Sequence, residues 1–293
     1  MLSILIPVYN QDVYSLVKSL HDQLMSLEHN FEILCLDDAS SQTHTNNSKI
    51  HSLEHCKYEL LDNNIGRSAI RNKLAEMANY EYLLFIDSDM LVIDDTFIQK
   101  YLSVCQSYDV VYGGIKYLNT CVDQKRLLRW KYGLERESLS VEKRNFKPYI
   151  SAKFCNLLIR KKVFTDIQFD EQIKVYGHED TLFSLEMQSH KLKLLHIDNP
   201  LLHDGLEDSS IYLKKVEIAS INLKKIAELH PNNLLLKSIP LLSTYKLLKK
   251  YNFTIIYKII YILFAKGIER NLLSTKPNIR LLDFYKLYSI CKD

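Results

Sequence analysis

The run Tyr82-Leu83-Leu84-Phe85-Ile86 is apolar without a break and stops at Asp87-Ser88-Asp89. A run of that length without alternation reads as a strand buried on both faces, the pattern of a parallel sheet covered by helices. Polar residues at the C-terminal end of such a strand fall on the sheet edge where open α/β folds bind ligands. The two carboxylates, one residue apart, suit a hard divalent cation, Mg²⁺ or Mn²⁺, that bridges to a nucleoside diphosphate. Asp and Ser are also ordinary turn formers after a strand, so the tripeptide alone leaves both readings open.

The rest of the chain repeats the pattern. Ser3 to Val8 is a β-rich run halted by Pro7 and Asn10, and residues 12 to 27 then place Val13, Leu16, Val17, Leu20, Leu24 and Leu27 at helical spacing. Phe31 to Leu36 reads as a second strand ending at Asp37-Asp38-Ala39-Ser40, Tyr58 to Leu61 as a third, and Gly66 to Ala78 as a helix. Strands alternating with helices predict an α/β fold with a mostly parallel sheet and one ligand edge. Further on, Val110 to Tyr112, Asn156 to Ile159 and Leu192 to Ile197 are expected strands and Thr181 to Ser189 an expected helix. Residues 123 to 150 read as helix plus mobile loop. From Ser209 the pattern is helical, broken by Pro231, Pro240 and Pro277.

Charge divides the chain. Residues 211 to 293 carry 15 Lys and Arg against 5 Asp and Glu, a balance of +10, which leaves 23 against 30, or −7, for residues 1 to 210. The expected organisation is a catalytic domain over 1–207 and a basic, helical region over 208–293. The six cysteines are scattered with no C-x-x-C pair and read as reduced core residues. The start lacks a basic n-region, and no run approaches the roughly 18 apolar residues of a membrane span. The chain is therefore expected in the cytoplasm, peripheral to the inner face of the cell membrane if its basic region docks there.

Six stations in order, Pro7-Val8-Tyr9-Asn10, Asp37-Asp38-Ala39-Ser40, Asn64-Ile65-Gly66-Arg67 with Ala69-Ile70-Arg71-Asn72, Asp87-Ser88-Asp89, Gly177-His178-Glu179-Asp180, and Asp198-Asn199-Pro200 with His203, make the chain resemble the family 2 glycosyltransferases. These are inverting enzymes of the GT-A fold, a Rossmann-like sheet that binds nucleotide-diphospho-sugars. The resemblance covers roughly residues 1 to 207. It implies a transferase acting in bacterial surface-polysaccharide biosynthesis, with a UDP-hexose or UDP-N-acetylhexosamine donor and a saccharide or polyprenyl-linked acceptor.

By the same resemblance, the nucleotide-sugar is held by Pro7, Tyr9, Asn10, Asp37, Asp38, Asn64, Arg67, Arg71, Asp87 and Ser88. Either Asp37 or Asp38 can accept the uracil N3–H, with the second favoured, and either can instead cap a helix. Asp89, with Asp87 and His203, is the implied ligand set for Mn²⁺ or Mg²⁺. Asp180 is the implied base, taking the acceptor's hydroxyl proton, with Glu179 assisting it. The pair also precedes a helix, whose N-terminus favours acids. His178 stands where the family usually has a bulky aromatic, and the shape of the acceptor pocket stays open.

Trp130, the only tryptophan, lies among Arg126, Arg129, Lys131 and Arg136, where it reads either as a stacking surface for an acceptor or as one packed aromatic on a solvated basic helix. The segment Phe253 to Phe264 mixes apolar residues with Lys258 and reads as a membrane-surface helix or as an appendage packed on protein or in a homodimer. No nucleic-acid reader motif accompanies the basic charge. Two rival functions are a nucleotidyltransferase, whose Gly-rich phosphate loop is replaced here by Pro7-Val8-Tyr9-Asn10, and a non-catalytic nucleotide-sugar-binding or membrane scaffold protein.

Overall fold

Along the chain the elements are β1 (Leu2–Val8), α1 (Tyr14–Met25), β2 (Phe31–Asp37), β3 (Cys56–Leu60), α2 (Arg67–Met77), β4 (Tyr82–Ile86), β5 (Met90–Leu91), α3 (Phe97–Leu102), β6 (Val110–Tyr112) and β7 (Ile115–Lys116). Then follow α4 (Leu127–Tyr132), α5 (Val141–Asn145), α6 (Pro148–Ser151), β8 (Asn156–Arg160), α7 (Lys161–Ile167), α8 (Glu179–Ser189), β9 (Leu194–His196) and β10 (Leu201–His203). Helices α9 (Ser209–Leu229), α10 (Pro240–Lys250), α11 (Thr254–Leu272) and α12 (Ile279–Ile290) complete the chain. This computed structural model describes every residue except Glu28, Thr43, Val122 and Asp293. Two compact units result, one of Met1–Tyr117, Ser138–Lys174 and Glu186–Gly205, the other of Leu118–Glu137, Val175–Leu185 and Leu206–Asp293.

The first unit is built on a seven-stranded sheet in the order β3-β2-β1-β4-β8-β6-β9. Strands β3, β2, β1 and β4 are mutually parallel, β8 runs antiparallel to both its neighbours, and β6 pairs in parallel with β9. β4 is buried at all five positions, the burial its unbroken apolar run predicts. α1 buries Leu16, Val17, Leu20 and Leu24, one helical stripe.

Pro7 and Val8 lie inside β1, as the β-rich run to Val8 predicts, and Tyr9 and Asn10 follow it. Pro7 still shapes the edge. It has no N–H to give, and while β1 pairs with β2 through Val8↔Asp37, its ladder with β4 ends at Leu5↔Phe85. The strand order turns at β1, so the ends of β1 and β4 part at the topological switch point of the sheet.

A second sheet, three short strands in the order β5-β10-β7, has no counterpart in the sequence reading. Strands of two or three residues show no periodicity to detect.

The second unit is helical. Its core gathers Leu128, Tyr212, Val216, Tyr261, Leu282 and Tyr285 from α4, α9, α11 and α12. The basic stretch around Trp130 is nearer to the packed aromatic on a basic helix, α4, than to an open stacking surface. Trp130 is half-buried and its indole N–H donates to the Leu118 carbonyl at 2.8 Å. Arg129 pairs with Glu137 at 2.9 Å and lies over the Tyr212 ring, Lys131 donates to the Pro277 carbonyl, and Arg136 reaches Asp283 at 2.8 Å. These cations serve contacts within the unit. The expected mobile loop is replaced by short helical segments, including a π turn at Gly133–Glu137 and helices α5 and α6. Cys35, Cys105, Cys155 and Cys291 are buried as expected, whereas Cys56 and Cys121 are partly exposed.

Candidate active site

The register of the parallel strands brings the carboxylates together. Val8 pairs with Asp37, and the pairing of Leu5 with Phe85 carries Asp87 to the level of Pro7 just beyond the ladder. Tyr9, Asn10, Asp37, Asp38, Asp87, Ser88 and Asp89 therefore share one sheet edge. Tyr9 is 51% exposed, so its ring is open to a flat ligand. Asn10 has φ 52°, a left-handed conformation that Asn tolerates better than most residues. Its N–H donates to Ser40 Oγ at 2.7 Å and its Oδ1 accepts from the Gln42 N–H at 3.0 Å, clamping the loop after β2 onto the end of β1.

Asp37 and Asp38 face different tasks. Asp37 is 2% exposed; it accepts from the Tyr58 hydroxyl at 2.5 Å and from the Ser40 N–H at 2.8 Å. Burial, and then the adjoining Asp37, push the Tyr58 hydroxyl up to about 12, so it stays a donor. Asp38 accepts from the N–H groups of Ile65 and Gly66 at 2.6 and 3.0 Å, while Asn64 donates to the Asp38 carbonyl at 2.9 Å. The Asn64-Ile65-Gly66 turn that opens α2 is thus tied to the end of β2. Each carboxylate oxygen keeps a second lone pair for a ligand donor.

Arg71, one turn beyond Arg67 on α2, is neither a solvated helix residue nor a side chain reaching outward. It is 1% exposed and donates to Asp87 Oδ1 at 2.8 Å, with its guanidinium over the Phe169 ring at 5.5 Å. Arg67, half exposed, stands 3.8 Å from Asp87 Oδ2. Two cations on one helix face hold the first carboxylate of Asp87-Ser88-Asp89 in place.

The second carboxylate meets His203. β10 pairs antiparallel with β5, His203 opposite Met90, which sets His203 Nε2 3.5 Å from Asp89 Oδ2. His203 is largely buried and stacks on Tyr117 with ring centroids 5.1 Å apart and planes 19° from parallel. Gly205 is required beside it, because a Cβ there would come within 2.5 Å of Asp89 Cβ and Oδ2. Neither Tyr117 nor Gly205 was a candidate from sequence. The signal for Gly205 was only its place two residues after His203.

Glu179 and Asp180 open α8 in the second unit, with Glu179 buried. The loop before them is fixed by α9. Asn222 donates its amide to the Val175 and Gly177 carbonyls at 3.0 and 2.7 Å. Gly177 has φ 100°, and a Cβ on it would lie 2.5 Å from the Cβ of Ala219. His178 follows at φ 72°, its Nδ1 3.2 Å from the Thr181 hydroxyl. Asn222 and Ala219 lie some forty residues from the motif they support and carried no sequence signal.

A family profile described as glycosyl transferase family 2 matches residues 3–167, more than half of the chain. The chain belongs to glycosyl transferase family 2. Among curated relatives of this family 2 chain, the poly(ribitol-phosphate) beta-glucosyltransferase of Bacillus spizizenii is 29% identical over 124 residues, 40% of this chain and 19% of that longer protein. An uncharacterized glycosyltransferase of Haemophilus influenzae is 24% identical over 227 residues, covering 76% of this chain and 84% of that one. The solved mannosyltransferase PcManGT of Pyrobaculum calidifontis, in complex with GDP-Man and Mn²⁺, matches with a TM-score of 0.60 at 11% identity over 99% of this chain and 85% of its own. The family and this likeness establish the GT-A type of α/β fold for the family 2 chain, with its mostly parallel sheet and helical C-terminal region.

Proposed function

We propose that this chain transfers a hexose or N-acetylhexosamine from a UDP-sugar to a hydroxyl of a saccharide or lipid-linked saccharide, with inversion and metal assistance. The observation that carries this reading is the meeting of Asp89 with His203 on the sheet edge that also bears Tyr9, Asp37, Asp38 and Asp87. A stacking ring, a base-reading carboxylate and a cation-binding pair on one edge suit the base, ribose and diphosphate of a nucleotide-sugar.

Tyr9 stacks on the uracil, and Asp38, already oriented by Ile65 and Gly66, accepts the N3–H with a remaining lone pair. Asp87, held by Arg71, would bind the ribose or a water on the cation. The donor set of Asp89 and His203 fits Mn²⁺ or Mg²⁺, which commonly take one or two protein ligands and complete their shell with phosphate oxygens and water. Among the described residues no group of three or more His, Cys, Asp or Glu could hold a metal ion, so this pair would need the diphosphate and water to complete the shell. Held there, such a cation would neutralise charge on the departing nucleoside diphosphate.

Asp180 takes the acceptor's hydroxyl proton as that oxygen attacks the anomeric carbon. The bond from that carbon to the diphosphate breaks, and UDP leaves. Glu179 positions the acceptor or the base. The family assignment argues against the nucleotidyltransferase reading, and the retained Asp89 and Asp180 argue against a non-catalytic scaffold.

Thermal unfolding of the purified chain with UDP-, GDP-, CDP- and dTDP-sugars, each with and without Mn²⁺, tests the donor half, since a ligand bound only by the native state raises its stability. A rise with a UDP-sugar that requires Mn²⁺ is expected. A metal-independent rise, or one with GDP-sugars alone, would overturn the metal or the uridine assignment respectively.

A further inference from the structure

Helix α11 has two unlike sides. One enters the core of the second unit: Tyr261 is 1% exposed and stacks on Tyr288 with centroids 3.9 Å apart, Tyr257 donates its hydroxyl to the Phe284 carbonyl at 3.0 Å, and Ile268 and Leu272 are buried. On the other side Ile255, Ile259, Ile262 and Leu263 are 66%, 54%, 60% and 75% exposed. Residues 255, 259, 262 and 263 recur at the spacing of one helical stripe. Phe253 before the helix and Tyr251 and Leu247 at the end of α10 are also more than half exposed and extend the surface. Monomeric soluble proteins rarely leave so continuous an apolar patch in water, and such a patch marks a docking surface.

The charges around it select the occupant. Residues 240 to 270 contain Lys246, Lys249, Lys250, Lys258, Lys266 and Arg270 against the single acid Glu269. In a symmetric pair of chains the same patch meets itself, so these cations would face one another. An anionic bilayer supplies the opposite charge at its headgroups and an apolar layer just beneath, and long Lys side chains reach the headgroups from beside buried apolar neighbours. The apolar stretch from 253 to 264 rises only about 18 Å at 1.5 Å per residue, well short of the roughly 30 Å hydrocarbon core. No single helix among the described residues is long and apolar enough to span; α10 and α11 reach that length and hydropathy only together, across a bend of 115°.

We infer that α11 and the α10–α11 bend lie in the interface of an anionic membrane, with Ile255, Ile259, Ile262 and Leu263 in the acyl boundary and the α10 lysines at the headgroups. The inference uses this surface alone and does not depend on the proposed transfer reaction.

The test is co-sedimentation of the full chain with vesicles of phosphatidylglycerol and phosphatidylcholine in equal parts, compared with phosphatidylcholine alone. Binding to the anionic vesicles at least about tenfold tighter is expected, weakening as salt is raised. The double substitution Ile259→Glu and Leu263→Glu should lower binding at least about tenfold, and Lys249→Glu with Lys250→Glu should abolish the preference for anionic lipid. As an independent readout, Leu263→Trp should shift its fluorescence to the blue on anionic vesicles.

Several outcomes would overturn the inference. They are failure of the unsubstituted chain to bind either vesicle at low salt, binding that survives the paired Glu substitutions, or an unshifted Leu263→Trp spectrum. A chain that sediments as a dimer, becomes monomeric on the paired Glu substitutions and ignores vesicles would assign the patch to a second copy instead.

Discussion

At the sheet edge of the first unit Asp37 is held by Tyr58 and Ser40, Asp38 by two backbone N–H groups, and Asp87 by Arg71; along α11 in the second unit, large apolar side chains stand in solvent. The first surface is polar and fixed before any ligand arrives, as a site that must orient a charged substrate requires. The second is apolar and unspecific in shape, suited to a fluid partner that adapts to it. The contrast separates residues whose loss damages the fold from residues whose loss affects only what the fold meets.

The comparison breaks first at turnover. Asp180→Asn should lower transfer about 10³-fold, within the range for a lost general base, while leaving the donor-induced rise in Tm intact. Full turnover would return Asp180 to the role of a helix-start residue.

Next in size is Arg71→Ala. Urea unfolding should show a loss of about 3 kcal/mol, the lower end for a broken buried ion pair because Asp87 keeps 22% side-chain exposure. The same substitution in an Asp87→Asn background should cost clearly less; equal costs would mean the two are not coupled.

A smaller effect follows pH. Burial, and then the Arg144 guanidinium, push His196 on β9 down from 6.5 to about 4. Its neutral form is the folded one, so its contribution is complete above pH 6.5 and is lost as pH falls toward 4, by about 3 kcal/mol at most. His196→Gln should flatten the unfolding midpoint over that window, and an unchanged slope would assign the acid sensitivity elsewhere. Least of all, Ile259→Glu should move stability by no more than about 0.5 kcal/mol, since its side chain is exposed. A larger loss would mean that α11 packs on protein and that the contrast between the two surfaces is false.

The strands β1, β2 and β4 and the carboxylates after them could be read from the chain because each is a local pattern, an apolar run closed by a polar stop. Helix α2 was legible for the same reason, but not the use of Arg71, since a helix arginine looks alike whether it faces water or a buried carboxylate. The pairing of His203 with Asp89 depended on three strands too short to carry a period, and the support of Gly177 by Asn222 joins residues far apart in sequence. In the basic stretch around Trp130 the helix and its packed aromatic were legible, but not the partners of its arginines, since Glu137 and Asp283 are brought to them by the fold.

The chain by itself determined the kind of sheet, the family and where the carboxylates fall after the strands, because these follow from residue type and near-neighbour spacing. Only the tertiary structure decided which carboxylate is pinned by arginine, which meets a histidine, and which apolar residues of α11 remain in water. Those depend on register and packing between distant segments, where a shift of one residue turns a side chain to the opposite face.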